Sequence, residues 1–203
     1  MEPPTTPAVP RAAATVIVLR GGVIEPEVLL VRRNPQARFM GGAWVFPGGA
    51  VDPQDGAAGE LSAAIACGRR ELAEEAGVRL DPEAELIPFA RWITPVQVPI
   101  RFDTWFLVAV APTDAAPRID GAEIVDSGWW RPAEALAAGE RGELLLVFPT
   151  IRQLEELARF ARVEDLLADA RRRRVEPVLP VFPHAGPLLM PDGRPEAMPA
   201  DGP

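Results

Sequence analysis

The sequence predicts an α/β sandwich, a mixed sheet with helices packed on it. Three observations carry that prediction. Short apolar runs bounded by glycine and proline recur through the first two-thirds of the chain, as strands do. One segment, residues 61–76, switches to helical periodicity in their midst. Two more amphipathic segments follow at 150–160 and 163–172, so strands and helices alternate unevenly around a shared core.

Taken in order, residues 1–10 are proline-rich and read as a loose tail; they lack a basic start followed by an apolar core, so no secretory leader is expected. Residues 15–19 are a β-branched run that stops at Gly21-Gly22, a strand and a turn. Residues 27–32 read as the next strand, 34–42 as a polar loop, and 43–46 as a short strand running into Pro47-Gly48-Gly49. Residues 52–60 form an Asp-, Gly- and Pro-rich loop. In the helix at 61–76, Leu61, Ile65, Gly68 and Leu72 recur at helical spacing and are expected to face the core, and Gly77 sits where a left-handed cap belongs. Strands are predicted at 85–93, 102–110 and 123–130. Pro132 suits the first turn of a short helix ending near Gly139. The stripe Ile151, Leu154, Leu157 reads as core or dimer contact. This gives a tail at 1–10, one domain at 11–172 that includes the C-terminal helices, and a proline-rich arm at 173–203.

Composition narrows the function. Hydrophobic residues make up 48% and charged residues 25%, a globular balance. No apolar run is long enough to span a bilayer. The net charge of −8 argues against nucleic acid or an anionic membrane as partner. It leaves room for a phosphorylated small molecule, because bound cations invert the local field. The single cysteine, Cys67, excludes an internal disulfide framework and fits a reducing compartment, so a cytoplasmic location is expected. Cys67 itself reads as a small helix residue, His184 as an ordinary surface histidine, and the arginines at 171–174 as a solvated helix end.

The sharpest feature is Arg70-Glu71-Leu72-Ala73-Glu74-Glu75-Ala76-Gly77-Val78. On a helix Glu71, Glu74 and Glu75 stand at i, i+3 and i+4, so their carboxylates share one face. Oxygen clusters of that kind suit hard cations such as Mg²⁺ or Mn²⁺; the alternative is a solvated acidic face. Arg70, four residues before Glu74, is placed to orient it. Upstream, Gly48 and Gly49 let backbone approach a phosphate and present N–H groups to it. Arg32 and Arg33 end a strand just before this glycine loop, and a forked guanidinium suits a diphosphate.

This combination resembles the Nudix family. Its box reads Gly, five residues, Glu, seven residues, then Arg-Glu-aliphatic-any-Glu-Glu-any-Gly-aliphatic; Arg70 through Val78 match the second half throughout, and Gly49 matches the first glycine. The resemblance implies a Nudix-type α/β/α sandwich and a metal-dependent hydrolase of nucleoside diphosphate derivatives. Glu71 and Glu75 would be the main metal ligands, and Glu74 would complete the site as a further ligand or through a metal-bound water; Glu74, or a carboxylate from another loop, would accept the attacking water's proton. The sequence departs from the box at Asp55, which stands where the family has Glu, and in the longer stretch from Asp55 to Arg70. Either Asp55 or Glu60 is then the replacement carboxylate. Glu123 is a candidate for the extra carboxylate that such enzymes take from outside the box, with a plain surface Glu as the alternative.

Residues 91–95 and 99–104, with Arg101 among them, are similar to a signature of the Nudix-19-type coenzyme A diphosphatases. That implies coenzyme A or an acyl derivative as substrate; ADP-ribose, NADH or a damaged nucleotide, and a non-catalytic ligand-binding module, are the alternatives. Members of that subgroup often dimerise, so a homodimer is an open expectation. Of Trp129 and Trp130, on alternate faces of a strand, one is expected in the core and the other stacked on a base or covering an edge.

Overall fold

The computed structural model describes residues 7–21, 25–37, 40–112 and 114–180. Eight strands and four helices appear in chain order: β1 (Arg11–Arg20), β2 (Glu27–Arg33), β3 (Trp44–Val45), β4 (Gly48–Ala50), α1 (Leu61–Ala76), β5 (Ile87–Ile93), β6 (Phe102–Val110), β7 (Ile124–Trp130), α2 (Pro132–Glu140), α3 (Phe148–Leu157), α4 (Val163–Arg172) and β8 (Pro177–Val178). Among the described residues no helix is long and apolar enough to cross a membrane.

The sheet is mixed and it forks. Along one edge β1 pairs in parallel with β6, from Arg11 opposite Phe102 to Leu19 opposite Val110. Its other edge is shared: residues 13–15 pair with β4, and Leu19 and Arg20 pair with β2. Strand β2 is divided the same way, with β7 along one edge and β1 and β3 on the other. A wedge therefore opens between β4 and β2, and the candidate site lies there.

Strand β1 is buried on both faces, as a near-continuous apolar run should be. Val16 and Val18 pack with Leu29, Val31, Leu107 and the α1 residues Cys67 and Leu72. Ile17 and Leu19 face the other way, against Phe106, Val108 and the α3 and α4 residues Leu154, Leu157 and Leu166. The result is the expected α/β/α sandwich.

Helix α1 spans the predicted residues and ends in a left-handed Gly77 (φ 64°). Its buried stripe differs from the expected one. Gly68 and Leu72 face the core, but Leu61 is exposed and Ile65 only half-buried; Ala64 and Cys67 take their places. A Cβ on Gly68 would lie 2.8 Å from Val16 Cγ2, so small residues set how closely α1 approaches the sheet. The stripe Leu154 and Leu157 is core, with Ile151 packed at its margin. Pro177–Val178, in the expected arm, forms an edge strand on β5, where proline leaves no central ladder bond unmade. The rest of that arm from 181 onward, with His184, lies outside the described residues. The arginines of 171–174 each face a carboxylate: Glu85, Asp169, Asp169 with Glu156, and Glu176.

Candidate active site

Two carboxylates of α1 reach the wedge. Glu75 is only 7% exposed, and Gly48 N–H donates to its Oε2 at 2.8 Å. Glu71 lies against Gly49 so closely that a Cβ there would sit 2.4 Å from Glu71 Oε1. The glycine pair, which lines the cleft, thus makes room for carboxylates. Gly49 admits a carboxylate, and the Gly48 N–H is already spent on one. Gly48 is also pressed on β1, where an added Cβ would lie 2.4 Å from the Ala14 carbonyl oxygen. Gly49→Ala is expected to push Glu71 out of place, cutting activity at least about tenfold at a stability cost of about 1–3 kcal/mol. Activity and thermal midpoint measured together check this; unchanged activity would remove Glu71 from the site.

Arg70 holds this arrangement from behind. Its guanidinium donates to both Asp55 oxygens (3.1 and 2.8 Å), to Glu71 Oε1 (2.7 Å), to Glu74 Oε2 (3.0 Å) and to the Ala50 carbonyl (3.2 Å). Arg70 does not line the cleft, so it is a positioning residue rather than one that touches substrate. Asp55 is 4% exposed, seated in a 3-10 turn where the Asp52 N–H donates to it at 2.8 Å, and Arg70 holds its carboxyl below the usual carboxylate range. The alternatives Asp55 and Glu60 are thereby separated: Asp55 takes Arg70, while Glu60 stays in the exposed loop beside Ser62. The extra residues loop out through Gly56 and Gly59, both at positive φ. Glu74, expected to complete the acidic site, is 59% exposed, bonded to Arg70 and outside the cleft lining.

Opposite α1 stands Glu123. The Asp120 carboxylate accepts the N–H groups of Ala122, Glu123 and Ile124, a turn that fixes Glu123 just before β7. Asp120 was not among the residues expected to matter, although Asp120-Gly121 is a turn signal. Arg33 bridges the two sides, 2.8 Å from Glu123 Oε1 and 4.0 Å from Glu75 Oε1. Arg32 and Arg33 follow one another on β2 and so point to opposite faces: Arg33 lines the cleft and Arg32 does not.

The cleft measures about 520 Å³. Its floor is the sheet, with Arg11, Ala13 and Thr15 of β1 beside Phe102, Thr104 and Phe106 of β6. Met40, Val45 and Phe46 wall one side, and Val147, Pro149 and Thr150 at the start of α3 close over it. Arg101 does not reach it. Its guanidinium is buried and donates to the carbonyls of Thr94 (2.9 Å) and Ala8 (2.6 Å), which makes it a clamp on backbone rather than a substrate ligand. Arg91 and Asp103 pair on the opposite face of the sheet, over Trp105. Neither tryptophan of β7 lines the cleft: Trp129 packs on the α1 side under Arg20, and Trp130 lies edge-on to Trp44 on the other.

Burial pushes the Glu75 carboxyl up to about 8, and the neighbouring Glu71 adds to the rise. Burial raises Glu71 as well. Cys67, under the Gly49 and Ala50 carbonyls, is pushed up to about 12 by burial, which keeps it an inert thiol. Among the described residues no three His, Cys, Asp or Glu groups stand close enough together to hold an ion as they are, since Glu71 and Glu74 turn to Arg70. The donor set still fits a hard divalent cation. It is all oxygen, and the ionised forms of Glu71 and Glu75 are disfavoured until positive charge is supplied.

A model of the NUDIX domain family matches residues 9–148. The chain belongs to this family. The NUDIX match begins just before β1 and ends as α3 starts, so it takes in Arg33, Gly48, Gly49, Asp55, Arg70, Glu71, Glu75 and Glu123. A NUDIX hydrolase from Alicyclobacillus acidocaldarius superposes with a TM-score of 0.72 at 29% identity, covering 79% of this chain and 96% of that one. The NUDIX domain of Shewanella oneidensis NrtR, solved with ADP ribose, superposes with a TM-score of 0.55 at 22% identity, covering 78% and 90%. A Caenorhabditis elegans protein provisionally named nudix hydrolase 7 is 28% identical over an alignment of 189 residues that covers 76% of this chain but only 62% of that protein's length.

Proposed function

We propose that the protein is a metal-dependent hydrolase that cleaves the diphosphate linkage of a nucleoside diphosphate derivative, with coenzyme A or an acyl-coenzyme A as the leading substrate. The observation that carries this is the convergence of Glu71, Glu75 and Glu123 at one end of a cleft large enough for a nucleotide. In this reading Glu71 and Glu75 hold Mg²⁺ or Mn²⁺. Bound there, such ions offset the charge of the diphosphate and favour a water nucleophile.

Glu123 is the carboxylate best placed to accept a proton from the attacking water, because it lines the cleft and Glu74 does not. Arg33, which pairs with Glu123, offers the diphosphate its remaining N–H groups. The 94–104 segment supports the coenzyme A reading through Thr94, Ile100, Phe102 and Thr104, which line the cleft, and not through Arg101. The catalytic unit would comprise residues 11–172 together with the β8 edge strand. The partner would be a small nucleotide-like molecule, in a cytoplasmic protein, alone or as a homodimer.

ADP-ribose and NADH are the second reading, favoured by the ADP ribose seated in the NrtR domain. A non-catalytic ligand-binding module is disfavoured by the intact network of Arg70 with Asp55 and Glu71. Turnover of coenzyme A, acetyl-coenzyme A, ADP-ribose and NADH, each with Mg²⁺ and with Mn²⁺, separates the three. Release of phosphopantetheine and adenosine 3′,5′-bisphosphate is expected. Cleavage of ADP-ribose or NADH alone moves the assignment to the second reading. No turnover of any compound moves it to the module.

A further inference from the structure

The cleft has a second charged end. The register of β1 on its neighbours orders the floor into rows: Thr15 with Gly48 and Phe106, Ala13 with Ala50 and Thr104, then Arg11 with Phe102. Glu75 meets the sheet at Gly48, in the first of these rows, and Glu71 at Gly49, opposite Ala14. Arg11 is four residues away along an extended strand, roughly 13 Å at ~3.3 Å per residue. A diphosphate held at the carboxylates does not span that distance. Between the two ends the floor is Ala13, Thr15 and Thr104, small side chains over which a ligand can lie flat.

The arginine is set for a ligand. Its guanidinium stands 6.0 Å from the centre of the Phe102 ring, an attraction that orients it while leaving N–H edges to donate. Arg33, the other cationic residue of the cleft lining, is engaged by Glu123 and Glu75. Among the described residues Arg11 has no carboxylate partner. Its backbone is pinned as well. Arg11 N–H donates to the Arg101 carbonyl at 2.9 Å, and the Arg101 guanidinium ties Ala8, just before β1, to Thr94. The buried arginine thus secures the strand end that presents the exposed one.

We infer that Arg11 is the specificity residue for a second anionic group on the substrate, a phosphate monoester carried by the nucleoside in addition to the scissile diphosphate. This rests on the hydrolase reading for the identity of the substrate, but not for the binding geometry. It ranks coenzyme A, which carries such a phosphate, above ADP-ribose and NADH, which lack it.

The test has two arms. In the first, kcat and KM are measured for coenzyme A and 3′-dephospho-coenzyme A, which differ only in that phosphate, on the wild type, Arg11→Ala and Arg11→Lys. The wild type is expected to favour coenzyme A by roughly ten- to a hundredfold in kcat/KM. Arg11→Ala should erase that preference by raising KM for coenzyme A alone, with kcat within about threefold, and Arg11→Lys should restore part of it. In the second arm, equilibrium binding of adenosine 3′,5′-bisphosphate is compared with that of adenosine 5′-monophosphate, which needs no turnover. The bisphosphate is expected to bind at least about tenfold tighter to the wild type and equally with the monophosphate to Arg11→Ala. Equal binding to the wild type, or a preference that Arg11→Ala leaves intact, overturns the inference. Absence of turnover with the binding preference present overturns the hydrolase reading instead.

Discussion

Glu75→Gln is expected to lower turnover by about a hundred- to a thousandfold, the loss of one ligand to an ion that contributes several kcal/mol to the transition state. The same substitution should leave the metal-free protein as stable as the wild type, or more so, at pH 8. The amide oxygen can still accept the Gly48 N–H now donated to Glu75 Oε2, and it does so without a buried charge. The sign follows from the raised carboxyl. Glu75 titrates near 8 in the fold against an ordinary 4.5, so the folded state keeps the proton that the unfolded chain gives up. Its contribution to stability is full below about 4.5 and is lost as pH rises through 8. Glu71 shifts in the same direction. The thermal midpoint of the metal-free wild type should therefore fall between pH 6 and pH 8. Mg²⁺ should restore it in the wild type and much less in Glu75→Gln. Near-normal turnover in the variant, or an Mg²⁺ effect on its midpoint equal to the wild type's, would falsify the assignment of Glu75 as a metal ligand.

The parts of the molecule that were legible in the sequence are those where local pattern and tertiary role agree. Strand β6 and helices α1 and α4 have the predicted bounds, because their apolar spacing matches the faces they bury. Agreement fails where packing overrides propensity. Residues 11–14, Arg-Ala-Ala-Ala, are poor strand formers, yet they belong to β1 because β4 and β6 flank them. Gly48-Gly49 reads as a turn but is β4, since only residues without a side chain fit between β1 and Glu71. Glu71 and Glu75 were legible as a pair from helical spacing. The outward turn of Glu74 was not, because at i+4 from Arg70 its partner is decided by the Arg70 guanidinium, whose direction is set by Asp55 across the loop. Arg101 and Arg11 show the same limit in reverse. Both were visible as arginines, and only the pairing of β1 with β6 tells which one faces the cleft.

Arg70→Ala should be the most destabilising single change near the site. The Arg70 side chain is 20% and the Asp55 side chain 4% exposed, and removing the guanidinium leaves a charged, buried carboxylate without its partner. Breaking such a pair costs about 3 kcal/mol or more, which for a chain of this size lowers the thermal midpoint by roughly 6–12 °C. Arg70→Lys should recover little, because one ammonium cannot reproduce the forked contact with both Asp55 oxygens while also donating to Glu71 and Glu74. The pH dependence is opposite to that of Glu75. Arg70 depresses the Asp55 carboxyl below its ordinary 3.8, so its stabilisation is present above that value and is lost as pH falls through the folded-state value. The gap between wild type and variant should thus be wide at pH 7 and close at strongly acidic pH, as read by chemical denaturation across that range. A pH-independent gap would mean that Arg70 acts through packing alone. Activity of Arg70→Ala at a temperature where it remains folded should also be reduced, chiefly in kcat, since Glu71 would lose the 2.7 Å contact that orients it. The effect reaches the chemistry only through that carboxylate. Combining Arg70→Ala with Glu71→Gln should therefore lower kcat by much less than the product of the two single losses.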